Sequence, residues 1–494
     1  MVHSDVITPT DHLYDSYCHG FNPRWSSSPK RIHLPHDGAE VLDAVRSAVE
    51  EQARVAVRSG GHCFENFVDN ADVEVIIDMS RLDTIEWDAA RNAIAVGAGT
   101  RLGALYTVLL ERWGVTVPGG QCLSVAAGGH VAGAGYGPLC RRLGLVSDYL
   151  HAVEVVVLDD PGNPRIVVAS NASDDPNRGL WWAHTGGGGG NFGIVTRYWF
   201  RGPDAQNTAG LPRPPRDLWT GLVSWPWAAI DEEAFHRLLG NFEEWHVAHA
   251  SAADPAASLF ARLLPMRRSY GAVLMDVQLD PAIQGAETMW TEFLDAVNAR
   301  LGVPMVVNDR TEMPWLAAVT ALDAYSGDPA QRTEHKSAIH RRPYTEHQRA
   351  TLYRQLTNDS QVNPLSGFGI SSFGGAVNRV APDATACAHR GSIMTVLYMA
   401  NWSDAAADDR HLRWLRETYR DLYYQTGGVP IPGAETDGCS INYPDVDLDD
   451  PEWNTSGLGS AELYYGANHA RLQEIKRQWD PSEFFRHQQS IRPA

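Results

Sequence analysis

The chain has 494 residues, enough for about two to four domains and a large buried core, and its 44% hydrophobic and 20% charged residues are an ordinary globular composition. With 41 Lys and Arg against 60 Asp and Glu the net charge is −19, and no cluster of five or more basic residues occurs, which disfavours nucleic acid and other polyanions as partners. No apolar run approaches the ~18 residues of a membrane helix, and the six cysteines show no CxxC spacing and make no disulfide framework.

The N-terminal text MVHSDVITPTDHLYDSYCHG has no basic segment followed by an apolar stretch, so the expected location is cytoplasmic. DGAEVLDAVRSAVEEQA (37–53) carries Val41, Leu42, Val45 and Val49 at helical spacing. A short strand RVAVRS (54–59) runs into the loop GGHCFEN. DVEVIIDMS (72–80) and NAIAVGAGT (92–100) read as strands, with DAARN (88–92) a turn. LGALYTVLLERWG (102–114) is a helix closed by Gly114. To about residue 200, strands and helices alternate with Gly-rich loops. The proline-rich GPDAQNTAGLPRPPRD (202–217) suits a domain boundary. Beyond it SLFARLLPM (258–266), AVLMDVQLD (272–280) and SIMTVLYMANW (392–402) read as strands and AETMWTEFLDAVNARLG (286–302) as a helix. HARLQEIKRQWDPSEFF (469–485) closes the chain as a helix stopped at Asp480-Pro481.

Three stretches could carry chemistry. WWAHTGGGGGNFGIVTRYWF (181–200) contains a formal GxGxxG from Gly188 to Gly193, but a strand follows where a nucleotide-binding helix is needed, so a nicotinamide Rossmann site is not expected. Five successive glycines make either a flexible loop or a close backbone approach to something bulky. In RSGGHCFEN (58–66), Arg58 to Gly61 form a tight turn whose amides could cradle a diphosphate, and His62 follows. In VPGGQCLSVAAGGHVAGAGYGPLCRRLGL (117–145), a turn presents Cys122, and small residues from Ala126 to Gly135 permit close approach to a flat ligand. Viewed singly, a histidine beside glycines is commonly a packed residue and a lone internal cysteine an inert small hydrophobe. Histidines in HLPH (33–36) and EHKSAIH (334–340) read as solvated surface, and without HExxH or Cys/His zinc spacing no metal site is expected.

In this order the three stretches resemble the FAD-linked oxidases of the berberine-bridge-enzyme type, in the vanillyl-alcohol-oxidase superfamily, and within it bacterial natural-product tailoring oxidases. The resemblance spans most of the chain. RSGGH is similar to the family's pyrophosphate loop, which implies FAD contacts from Arg58, Ser59, Gly60 and Gly61 and attachment of the flavin 8α-methyl to His62. PGGQC…GGHVAGAGYG implies attachment of flavin C6 to Cys122 and contacts from Gly128, Gly129, Gly133 and Gly135. GGGGGNFGIVT implies contacts from Asn191, Gly193 and Ile194, and the C-terminal signature YYGANHARLQEIKRQWDPSEFFRHQQSI (464–491) implies one from Asn468.

Such a cofactor accepts hydride while the protein supplies position and tuning, and alcohol oxidation also needs a base for the hydroxyl proton. The resemblance implies Tyr443, in CSINYPDVDL (439–448), as that base. A phenol ordinarily titrates near 10, and Tyr136 in GAGYGP is the neighbour expected to lower that value by hydrogen bonding. The alternative for both is a buried, hydrogen-bonded aromatic. Where some relatives carry a tyrosine before the paired glycines of SSFGGAVNRV (371–380), this chain has Phe373, so a single oxidation through Tyr443 is expected. Ala127, in LSVAAGGH, aligns with a position whose bulk governs access of O2, and its small side chain implies O2 as acceptor and H2O2 as co-product; simple packing is the alternative.

The expected fold is α+β in two lobes, residues 1–205 with 426–494 binding FAD and 206–425 binding substrate, with the site between them. The expected function is oxidation of an alcohol of a secondary metabolite, or of its sugar, to a carbonyl. Its partners would be a small-molecule substrate and O2, with no nucleic acid and no membrane. An oligosaccharide or hexose oxidase forming a lactone is the alternative, and a non-catalytic flavin- or sugar-binding protein a third.

Overall fold

A computed structural model describes residues 5–160, 162–203, 210–307, 310–323, 327–359 and 363–494. The proline-rich boundary expected at 202–217 falls partly on 204–209, outside the described residues. The architecture is a mixed α+β fold built on three sheets among the described residues.

The helix Gly38–Glu50 starts where the Asp37 side chain accepts a hydrogen bond from Glu40 N, and it buries Val41, Ala44, Val45 and Ala48. Val55–Arg58, Val75–Asp78, Arg31–Leu34 and Asp5–Ile7 form a four-stranded sheet. Val75–Asp78 pairs in parallel with both neighbours and is buried along its whole length, which explains its unbroken VII run. The turn expected at 88–92 joins Ile85–Asp88, a strand the text did not show, to Ala93–Gly97 in a hairpin, and they join Ile194–Phe200, Leu150–Val157 and Arg165–Ser170 in a five-stranded antiparallel sheet. Leu102–Trp113 ends on Gly114 in the left-handed conformation, as its text implies.

The third sheet runs Val306–Val307, Asp217–Pro226, Ala272–Leu279, Leu259–Pro265, Gly367–Ser372, Met394–Trp402 and Arg332–His340, with Thr311–Pro314 pairing on Asp217–Pro226. Side chains alternate between its faces. Leu263, Met275, Ile370 and Val396 point one way into the core, and helices Glu232–Ala248, Ala286–Asn298, Glu346–Thr357 and Asp408–Leu422 lie beside this sheet. The strand Arg332–His340 corrects the sequence reading. Its text RTEHKSAIH looks solvated, yet every residue after Arg332 is buried, and His33 of HLPH is buried too. No helix among the described residues is long and apolar enough to cross a membrane.

The C-terminal helix His469–Trp479 stops before Pro481. Its Lys476 is fully buried, and Nζ donates to Asn191 O (2.6 Å), Asp480 Oδ2 (2.6 Å) and Phe485 O (2.7 Å), tying the glycine-rich loop to the tail. Lys476→Met leaves the Asp480 carboxylate buried without its cation and is expected to cost about 3–5 kcal/mol in urea unfolding. A loss below about 1 kcal/mol would show that this clamp is dispensable.

Candidate active site

A cavity of 720 Å³ lies between the first two sheets and the free face of the third, and all three glycine-rich stretches reach it. The strand Val55–Arg58 delivers the first. The Arg58 guanidinium is spent within the wall, donating to Asp78 Oδ2 (2.7 Å) and Asp69 Oδ1 (3.2 Å). Ser59 Oγ donates to Ala98 O (2.6 Å). What the loop offers the cavity is therefore the backbone at Gly60 and Gly61 and the His62 ring. Gly60 is a packing necessity, because a Cβ there would stand 2.6 Å from Ala126 N of the second stretch.

That close approach brings His62 and Cys122 together. His62 Nε2 is 2.9 Å from Ser124 Oγ, and Cys122 Sγ is 3.4 Å from the same oxygen. The imidazole stacks on Phe21 at 4.3 Å. Burial, with Arg101 adding to it, pulls His62 down to about 4, so the ring is neutral and keeps a nucleophilic lone pair at neutral pH. The Cys122 turn is fixed by Tyr106 Oη donating to Gly120 O (2.6 Å) and by His130 Nε2 accepting from Gly120 N (3.1 Å). Ser124, Phe21 and His130 escaped the sequence reading; for Ser124 the available signal was its place two residues after Cys122.

The glycines test whether a flat cofactor fits. A Cβ on Gly129 would meet no other part of the protein within 4 Å, and one on Gly189 would meet only Gly129 Cα, at 3.9 Å. The backbone at Gly129 and Gly189 thus borders space that side chains would otherwise fill, as a cradle for a planar group requires. Gly128, Gly193 and Ile194 line the same cavity.

Tyr136 and Tyr443 also line it, with hydroxyl oxygens 3.0 Å apart. Phe373 packs edge-on against Tyr136 at 5.7 Å. The Tyr443 segment is clamped on several sides. Asn442 Nδ2 donates to Gly133 O (3.0 Å), Val446 N donates to Glu65 Oε1 (3.0 Å), and Lys336 Nζ donates to Asp445 (2.7 Å) and Asp447 (2.7 Å). Glu65, Glu334 and Asp445 bring their carboxylates within 4.8 Å of one another, with Arg24 paired to Glu334 and Lys336 to Asp445 as counter-charges. The expected lowering of the Tyr443 pKa is reversed: burial raises it well above the ordinary phenol value, and Tyr136 adds to the rise. Tyr136 is also raised by burial, although its hydrogen bond with Tyr443 works the other way. The free face of the third sheet completes the wall with Arg262, Leu264, Thr333, His335, Met399 and Asn401, none of them assigned to the site from the text.

Residues 29–160 match the family model "FAD binding domain" and residues 441–492 the model "Berberine and berberine like", so His62 and Cys122 fall in the first and Tyr443 in the second. The chain is 48% identical to the aclacinomycin-N/aclacinomycin-A oxidase of Streptomyces galilaeus over 97% of this chain and 88% of that one. The chain belongs to the berberine-bridge-enzyme-like FAD-linked oxidases. The solved structure of CrmK, a flavoenzyme of shunt product recycling in caerulomycin biosynthesis, superposes with a TM-score of 0.98 at 45% identity over 100% of both chains. A glycopeptide hexose oxidase solved with teicoplanin superposes with a TM-score of 0.95 at 40% identity, over 100% of this chain and 99% of that one.

Within this berberine-bridge-enzyme-like oxidase several expected cofactor contacts stand away from the main cavity. Asn191 turns inward, Nδ2 donating to Gly187 O (3.0 Å) and Oδ1 accepting from Ile491 N (3.1 Å), and so shapes the glycine loop. Asn468 Nδ2 donates to Pro382 O (2.8 Å) and Thr385 O (3.2 Å). Gly133 makes room for Asn442, and Gly135 for His130. The O2 gate expected at Ala127 is also corrected. Ala127 opens a helical turn, its N–H bonded to Thr100 O (2.8 Å) and its side chain fully buried in the core, while its neighbours Val125, Ala126 and Gly128 line the cavity. Ala127→Ile is expected to overpack the core by about 1–3 kcal/mol, lowering the melting temperature and flavin content. Unchanged stability with slowed reoxidation by O2 would return the gate to this position.

Proposed function

We propose that the chain oxidises an alcohol of a secondary metabolite, or of its sugar, to a carbonyl on FAD held covalently by His62 and Cys122. Residues 1–205 and 426–494 hold the cofactor in this reading, and 206–425 the substrate. The observation that carries it is the 3.0 Å Tyr136–Tyr443 pair opening on the same cavity as the His62–Ser124–Cys122 contact. When bound, FAD supplies the hydride acceptor and passes the electrons to O2, giving H2O2.

The chain's own residues orient the substrate and handle its proton. The neutral His62 ring and the Cys122 thiol stand at one rim of the cavity, and Ser124 holds both in register. Tyr443 starts as a neutral phenol. It takes the alcohol proton only as its own proton moves on to Tyr136, which releases its own proton in turn, in step with loss of hydride from carbon. The apolar Leu264, Leu274, Leu397 and Met399 on the sheet face give a broad surface for a partly apolar metabolite, with Arg262 and Asn401 available to its polar groups. Similarity to the aclacinomycin oxidase favours this reading. A hexose-type oxidation giving a lactone is the second reading, favoured by the likeness to the glycopeptide hexose oxidase.

Tyr443→Phe is expected to keep its FAD and slow anaerobic flavin reduction by roughly 100- to 10,000-fold. A near-normal reduction rate would remove Tyr443 from the reaction. Peroxide release across aclacinomycin A, other glycosylated aromatics and free hexoses separates the two readings. Turnover of the aromatics supports the first, and lactone from hexoses alone supports the second.

A further inference from the structure

Neither phenol of the Tyr136–Tyr443 pair is an anion at rest. Tyr443 and Tyr136 are half-buried phenols whose pKa values are raised, and the proton they receive has to move on. Behind them lies a second cavity of 20 Å³, which shares Tyr136 and Ile441 with the first. Its polar lining is Tyr136, Thr395, His389, Ser440 and Tyr464. One buried water needs roughly 10–15 Å³ and two to four polar partners, so the space fits one.

Two of these groups are already engaged. Ser440 Oγ accepts from Asn442 N (3.3 Å), and Tyr464 Oη accepts from Asp445 N (2.9 Å) while donating to Gln489 Oε1 (3.1 Å). Thr395 lies on the same sheet face as Leu397 and Met399, paired across from Ser371, and its hydroxyl interacts with Tyr136. His389 is buried beside the backbone of Asp437 and Cys439, and its Nδ1 has no hydrogen-bond partner. Burial lowers its pKa below the ordinary imidazole value and Arg390 adds to the fall, so His389 rests neutral with a free lone pair, while the nearby Asp437 carboxylate works the other way and supports the imidazolium once a proton arrives.

We propose that this cavity holds one water and that Tyr443, Tyr136, the water beside Thr395, and His389 form a proton relay that drains the active site. The inference rests on Tyr443 as first acceptor. The substrate O–H bond breaks as a new O–H bond forms on Tyr443, whose own proton passes to Tyr136. The Tyr136 proton passes to the water, and a water proton to His389. The hydrogen on carbon leaves with its electron pair as the hydride that the flavin accepts. The relay ends with one extra proton on His389, and reduction of O2 to H2O2, which takes up two electrons and two protons, consumes it together with the hydride.

The test uses the FAD-loaded enzyme and the panel alcohol with the fastest peroxide release. Thr395→Val and His389→Leu are compared with wild type for anaerobic flavin reduction in H2O, D2O and mixtures. Wild type is expected to show a solvent isotope effect that curves with D2O fraction, as several protons move together. General-base steps are worth roughly 100-fold or more, so losing the terminal acceptor while keeping Tyr443 is expected to slow reduction at least about 10-fold and to straighten that curve. Flavin content and melting temperature distinguish this from misfolding. Independently of either variant, a high-resolution crystal structure of the wild-type holoenzyme is expected to show a water within hydrogen-bond distance of His389 and of Tyr136 or Thr395. Wild-type rates and curvature in both variants, or no ordered water there, would overturn the relay while leaving Tyr443 in place. Only a normal rate in Tyr443→Phe would remove the reading beneath it.

Discussion

Everything at this site depends on two stretches of backbone meeting without side chains between them. The loop after Val55–Arg58 touches the segment after Cys122 at Gly60, where the amide of Ala126 would collide with any Cβ. That single approach sets where His62 and Cys122 stand relative to each other, with the Ser124 hydroxyl between them. The parallel sheet holds one partner of the contact, through the Arg58–Asp78 ion pair, and the Tyr106 and His130 bonds to Gly120 hold the other. Loosening either would separate two reactive groups whose chemistry requires both at one rim.

The electrostatics of the site follow from the same enclosure. Loss of water leaves Tyr443 and Tyr136 neutral: Arg262 does not offset it for either, and the hydrogen bond between them opposes it only for Tyr136. The charges that do lie close are consumed elsewhere. Lys336 is bound by Asp445 and Asp447, and Arg416 Nε donates to Asp447 (2.8 Å). These pairs join the third sheet to the segment carrying Tyr443, so they fix where the phenol stands and leave it uncharged.

Much of this was legible in the text, and the exceptions have a common cause. Local signals gave the Gly114 cap, the turn at 88–92 and the Asp480-Pro481 stop, because each depends on neighbours within a few residues. The glycine stretches pointed to His62, Cys122, Gly60, Gly61, Gly128, Gly129, Gly193 and Ile194, and all of them line the cavity, as do Tyr136 and Tyr443. Asn191, Asn468, Gly133 and Gly135 were close in sequence but support the wall from behind. Ala126 is the extended residue before a helical turn and Ala127 the first residue of it, and a run of small residues does not disclose where the turn begins. Thr333, His335 and Lys336 were hidden because RTEHKSAIH reads as solvated. Its burial is made tolerable by partners such as Asp445, which lies 109 residues away from Lys336 along the chain.

The central claim is that His62 and Cys122 act on one flavin at once. Its most direct measurement is a peptide map of the acid-denatured holoenzyme by mass spectrometry. The expected result is a single flavin-bearing species in which the peptide containing His62 and the peptide containing Cys122 are joined through one FAD. Recovery of both peptides at their unmodified masses, with all the FAD free in the acid supernatant, would contradict it.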